Sequence, residues 1–196
     1  MVEFGLSWGV ALIFSRSFEE FELSGKTDKP AAQWHLGETA RDLAFAEFQH
    51  AMMCLAEAFY RYTGRSLAQI TGEMNLSGQD SVILQVIHTQ DRPKSIADIQ
   101  QFTNRGDIAN IQYSVRKLQK AGLVERARNE GRGTTYRLTA RGREIALAYV
   151  ASRRAMLEKF PEGDASLLPR VQDARDLMVI LTGLYDQGSR ELLTKE

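Results

Sequence analysis

The chain has 196 residues, 43% of them hydrophobic and 26% charged. That balance excludes a disordered or fibrous polymer and fits one large domain, or one domain with long helical arms. A single cysteine, Cys54, excludes an intrachain disulfide framework and points to a reducing compartment.

No apolar run approaches the roughly 20 residues that a membrane span needs. The most apolar stretch, Trp8 to Phe14, lacks the basic start and small-residue cleavage site of a signal peptide. The expectation is a cytoplasmic protein with no membrane partner. The 25 basic and 25 acidic side chains cancel, but unevenly along the chain. From Lys94 to Arg143 eleven Lys/Arg face four Asp/Glu, which leaves the other 146 residues acidic. One basic block on an acidic body is the footprint of a polyanion-binding face, a solvated charged surface being the plain alternative.

Residues 1–36 show no sustained period and carry breakers around Ser24 to Pro30; they read as a variable arm without an assigned role. A helix is expected from about Glu38, with Phe45, Phe48, Met52, Leu55, Phe59 and Tyr62 drawing one apolar seam. Beside it runs a stripe of small residues, Ala44, Ala51, Cys54 and Ala58. Two stripes are more than one partner needs, so this helix is expected to meet both its own core and a second subunit. Gly64 is expected to end it, before a short segment with Leu67, Ile70 and Met74. Residues 37–76 thus form the N-terminal part of a dimerisation region.

Ser77-Gly-Gln-Asp80 is a capping-box variant, and Val82, Ile83, Val86 and Ile87 behind it predict the buried face of a helix ending before Pro93. The device recurs at Ser95-Ile-Ala-Asp98, opening a short helix with Ile96, Ile99 and Phe102 inward. After the break Thr103-Asn-Arg-Gly106, Asp107 is the expected N-cap of a third helix that buries Ile108, Ile111, Val115 and Leu118, with Gly122 as its C′ residue. A short helix, a tight turn and a longer helix with a basic outer face make a helix-turn-helix signature. Leu123 to Arg128 alternates, Thr134 to Leu138 is β-branched and aromatic, and Asn129 to Gly133 supplies a turn between them. Thr139 then caps a long helix to about Phe160, Pro161 to Asp164 breaks it, and a last helix carries Val171, Leu177, Met178, Leu181, Leu184 and Tyr185. The expected fold is mainly α with a small β-hairpin wing. A winged helix-turn-helix over 77–143 is flanked by dimerisation helices, the C-terminal pair within 144–196.

Three segments of this region, Ala121-Gly-Leu-Val124, Glu130-Gly-Arg132 and Leu138-Thr-Ala-Arg-Gly-Arg143, resemble the MarR family of bacterial transcription regulators. The family shows a Gly-Leu-Val exit from its recognition helix, an Asp-x-Arg wing and a Leu-Thr-x-x-Gly-Arg lead into the next helix. Glu130 departs from the pattern, standing where the family usually has Asp. The resemblance covers residues 38–193 in element order, with its specific motifs within 107–143. It implies an obligate homodimer, a winged helix-turn-helix in each subunit and binding to pseudo-palindromic operators in double-stranded DNA. It often implies release by a small molecule or an oxidant.

With one side of the third helix buried, Asn110, Gln112, Tyr113, Arg116, Lys117 and Lys120 face outward. Asn and Gln can pair bidentately with adenine and Arg with guanine, so Asn110, Gln112 and Tyr113 are expected near bases and Arg116 at a base or a phosphate. Lys117 and Lys120 are expected on phosphates, which position without reading sequence. Arg105 in the preceding turn belongs to the same basic block. Arg132, between two glycines at the wing tip, suits a narrow minor groove, while Arg128 and Arg137 on the flanking strands would meet phosphates.

Some members of that family sense hydroperoxides through a first-helix cysteine, and Cys54 lies there with Tyr60 and Tyr62 downstream. The small residues around Cys54 nevertheless predict a packed, structural thiol. Only His50 and Cys54 share a helical turn among the possible metal ligands, too few for a closed site, and no metal or other cofactor is expected. A cleft lined by Phe59, Tyr62 and Ile87 is the candidate place for a small-molecule effector. Enzymatic chemistry is not expected, because the chain lacks a Gly-rich phosphate loop, a nucleophile elbow and paired metal-ligand motifs. The competing reading is an architectural or protein-interaction winged-helix dimer with weak sequence preference. Asn110 and Gln112 favour sequence reading over it, since pure backbone binding gains more from Lys or Arg.

Overall fold

The computed structural model describes residues 39–127, 133–158 and 166–194. The arm 1–36, the wing tip with Arg128 and Arg132, and the break from Pro161 to Asp164 lie outside the described residues. The chain divides into two units, one up to Ala56 and one from Glu57, and helix α1 (Ala40–Thr71) runs through the boundary.

In the first unit α1 opens on a third copy of the capping device. Asp42 accepts from the Thr39 hydroxyl at 2.7 Å and amide at 3.2 Å, and its own amide donates to Thr39 Oγ1 at 3.1 Å. Along the helix Phe45, Met53 and Leu55 are exposed, and Phe48 and Met52 are half-buried. The small residues Ala44, Ala51 and Cys54 are exposed too, which corrects the expectation of a buried thiol. Small side chains are buried only where a second element approaches, and the described part of this unit is a single helix.

In the second unit α1 continues through Gly64 to Thr71, and Gly72, with φ +75°, follows its end. Gly64 therefore does not stop the helix as expected. It permits a crossing: a Cβ at Gly64 would lie 2.8 Å from the Gly78 nitrogen, and one at Gly78 only 2.1 Å from the Tyr60 carbonyl oxygen. The start of α2 (Gly78–His88) thus rests directly on the backbone of α1.

Helices α2, α3 (Ile96–Thr103) and α4 (Ile108–Lys120) surround the core. Ile83, Leu84, Ile87, Ile99, Ile111, Val115 and Leu118 are at most 2% exposed. Both expected capping boxes close, Ser77 with Asp80 and Ser95 with Asp98. The periodicity misplaces some side chains. Leu84 takes the core position while Val82 and Val86 are half-buried, and Phe102 and Ile108 are 46% and 44% exposed. The last two flank the turn, at helix ends where the neighbouring helix no longer covers the face.

The wing hairpin, β2 (Val124–Ala127) and β3 (Thr135–Leu138), gains a third strand that the sequence reading missed. That strand, β1 (Lys94–Ser95), pairs antiparallel with β3, giving the order β1-β3-β2. Lys94 is fully buried there, and its Nζ donates to the carbonyls of Thr89 at 2.5 Å and Arg92 at 3.0 Å. Burial pushes its pKa down, and this lysine is lost from the basic surface.

Gly122, at φ +70°, ends α4 as expected. Thr139 caps α5 (Ala140–Leu157) by accepting from the Gly142 amide at 2.9 Å, while its hydroxyl donates to the Gly122 carbonyl at 2.7 Å. A Cβ on Gly142 would sit 1.9 Å from the Leu123 carbonyl oxygen, so only glycine lets α5 start against the exit of α4. α5 buries Ile145, Ala146 and Tyr149, whereas α6 (Leu167–Leu193) buries only Leu181. Leu177, Met178, Val179, Ile180, Leu184 and Tyr185 on α6 are exposed. Among the described residues no helix is long and apolar enough to cross a membrane.

Candidate nucleic-acid interface

The turn between α3 and α4 is held by its own side chains. Asn104 takes the left-handed conformation at φ 51°, which asparagine tolerates better than most residues. Arg105 then folds onto Asp107, its Nε 2.8 Å from Oδ1 and its Nη2 2.5 Å from Oδ2. Asn110 Nδ2 donates to the same carboxylate at 2.9 Å. Asp107, expected to cap α4 with its side chain, makes no such bond. A bidentate, charge-assisted pair outcompetes a single amide. The pair holds the Asp107 carboxyl well below the usual range and raises the Arg105 guanidinium.

Helix α4 buries Ile111, Ser114, Val115 and Leu118, and an ion pair adds a polar anchor. Lys117 Nζ lies 2.5 Å from Asp80 Oδ2, and the Asp80 side chain is fully buried. The same oxygen accepts from the Ser77 amide at 2.7 Å and hydroxyl at 2.9 Å. Burial alone would push Asp80 up, but Lys117 and the Ser77 bonds outweigh it, and the net shift is downward. Lys117, expected on a phosphate, is thus committed inward to Asp80. The capping motif announced Asp80 as a cap, but no local signal announced a partner 37 residues away.

The outer face of α4 carries Asn110, Gln112, Tyr113, Arg116 and Lys120, all exposed. Arg116 and Lys120 make no ion pair among the described residues. Together with Asn75, Tyr113 and Lys117 they line an open cleft of about 340 Å³. Asn75 was not singled out from the sequence; its position just before the Ser77 cap was the available signal. On the wing, Arg137 stands opposite Glu125 across the β2–β3 register, with Arg137 Nε 2.8 Å from Glu125 Oε1.

The three residues expected at an effector cleft lie in different surroundings. Phe59 is exposed, the half-buried Tyr62 has its hydroxyl 3.2 Å from Ser152 Oγ, and Ile87 is a core residue. The cavity that Ile87 lines includes neither aromatic ring. Cys54 Sγ is 3.6 Å from His50 Nε2. Among the described residues no group of three or more His, Cys, Asp or Glu is placed to hold a metal ion.

Comparison with known proteins assigns the central region. Residues 76–142 match the family model of a winged helix DNA-binding domain. The search of curated protein sequences found no match. Among solved structures, a MarR family protein from Bacillus stearothermophilus aligns with a TM-score of 0.57 at 19% identity, over 74% of this chain and 99% of its own. FabT of Streptococcus pneumoniae, solved in complex with DNA, aligns with a TM-score of 0.53 at 19% identity, over 70% of this chain and 99% of its own. A MarR/EmrR family transcriptional regulator from Acinetobacter sp. ADP1 aligns at 0.51 and 20% identity, over 70% and 96%. The chain therefore carries a winged helix DNA-binding domain within the fold of the MarR family regulators.

Proposed function

From this domain and fold, we propose that the chain is a MarR family transcription regulator that binds double-stranded DNA as a homodimer. The observation that carries the proposal is the outer face of α4. It is a helix anchored on one side by Ile111, Val115, Leu118 and the Lys117–Asp80 pair, with Gln112, Tyr113, Arg116 and Lys120 exposed on the other. Such a helix fits the major groove, where Gln112 and Asn110 read adenine and Arg116 reads guanine or holds a phosphate. Lys120 and the Asn75 loop meet the backbone, as do Arg105, Arg128 and Arg137, and Arg132 at the wing tip enters the minor groove. Two such helices related by a two-fold axis read a pseudo-palindromic operator in the cytoplasm.

The exposed apolar side chains of α6 support the dimer, because large exposed apolar patches mark protein interfaces. Residues 37–76 and 144–196 contribute the dimerisation helices, residues 77–143 the reader and residues 1–36 an added arm. A small-molecule effector modulates the binding. The test is fluorescence anisotropy with a selected operator duplex at several salt concentrations. Gln112→Ala is expected to reduce discrimination between operator and scrambled duplex while leaving the salt slope unchanged. Equal affinity of the wild type for both duplexes would sink the proposal.

A further inference from the structure

Helix α4 contains no acidic residue, yet an exposed carboxylate, Asp107, stands immediately before it. A negative charge beside a DNA-binding helix repels phosphates, and Asp107 does not offset that by capping α4 with its side chain. Its two oxygens are engaged instead by Arg105 and by the Asn110 amide. We propose that Asp107 is a positioning residue for base readout, holding the Asn110 amide in the orientation that matches adenine.

An asparagine amide has a donor end and an acceptor end, and an exposed one samples several rotamers with either end leading. The Asp107 carboxylate only accepts, so it takes the NH2 end, with Asn110 Nδ2 2.9 Å from Oδ2. Turned over, the amide would set its Oδ1 against a carboxylate oxygen. One N–H is thereby committed to Asp107, and the second N–H and Oδ1 remain. Those two groups are the donor and acceptor that the N7 and N6 amine of adenine complement. The amide is ordered before DNA arrives, so its ordering cost does not fall on binding.

Asp107 is itself held. Arg105, whose side chain is 15% exposed, grips one carboxylate oxygen with Nε and the other with Nη2 and cancels the charge that phosphates would meet. Gln112, the other outward amide of α4, makes no side-chain hydrogen bond among the described residues and supplies the internal comparison. The inference rests on the regulator reading and deepens it, by naming the residue through which one base contact is set.

Fluorescence anisotropy of the full chain with a selected operator, its single-base variants and a scrambled duplex tests it. Asn110→Ala and Gln112→Ala first identify the operator positions that the two amides read. Asp107→Ala is expected to lower the adenine preference at the Asn110 position about two- to tenfold and to leave the Gln112 position unchanged. Affinity for the scrambled duplex is expected to hold or rise, because a negative charge is removed and Arg105 is released. In an Asn110→Ala background, Asp107→Ala is expected to change the Asn110 position no further. Should Asp107→Ala fail to fold, Asp107→Ser, which can still cap α4, takes its place. Full adenine preference in the Asp107 variant overturns the proposal. So does an equal loss at every position with weaker binding of the scrambled duplex, which marks a role confined to holding the helix start. Wild-type preference at every position in Asn110→Ala overturns it too. A wild type that binds operator and scrambled duplex equally removes the regulator reading and this inference with it. One that discriminates while Asp107→Ala keeps its adenine preference removes this inference alone.

Discussion

Asp80 gathers donors from two elements onto one buried oxygen, the Ser77 amide and hydroxyl at the start of α2 and the Lys117 ammonium of α4. Removing one partner of a buried pair strands the other charge, so Asp80→Ala is expected to cost about 3–5 kcal/mol in denaturant unfolding. Lys117→Met, which leaves the carboxylate buried, should fall in the same range. Because the folded state lowers the Asp80 pKa, the stabilisation is present above the unfolded value near pH ~4 and is lost as pH falls through the folded value. The stability gap between wild type and Asp80→Asn should therefore be full at neutral pH and shrink in acid. A gap that stays constant down to pH ~2 would remove Asp80 as its source. Gly142 is the other critical residue. An alanine Cβ there would collide with the Leu123 carbonyl, and overpacking of this kind costs about 1–3 kcal/mol.

At the scale of elements, the proposed regulator divides the outer face of α4 between reading bases and holding phosphates. Asn110→Ala and Gln112→Ala should each cost about 1–3 kcal/mol of discrimination at one operator position. Lys120→Gln should weaken all sequences alike and reduce the salt slope by about 1. A Lys120 variant that changes base preference instead would reverse these roles. Much of this element order was legible in the sequence, because capping boxes and apolar periods are local signals: Ser77–Asp80, Ser95–Asp98, Thr139 and Gly122 all stand where the pattern placed them. What escaped depends on remote geometry. A two-residue strand such as β1 has no period of its own, and Lys117 turns inward only because Asp80 lies across the core. Gly64 read as a stop, since a glycine needed for close helix approach looks like one that ends a helix. Cys54 read as buried because small residues imply a neighbour, and within its unit none of the described residues supplies one.

For the whole molecule, the winged helix domain has a closed core, but α6 buries only Leu181 of its apolar side chains. A second copy of the chain accounts for that surface in the proposed dimer. Leu184→Glu, at an exposed position of α6, is expected to shift sedimentation from dimer to monomer while the winged helix domain stays folded. A wild-type chain that sediments as a monomer at micromolar concentration would contradict the dimer.

The central claim is sequence reading by a two-fold dimer, and selection of bound duplexes from fragmented genomic DNA at near-physiological salt tests it most directly. The account predicts a two-fold symmetric motif with half-sites about one helical turn apart. Diffuse recovery with no motif would contradict it and leave a winged helix that holds DNA without reading it.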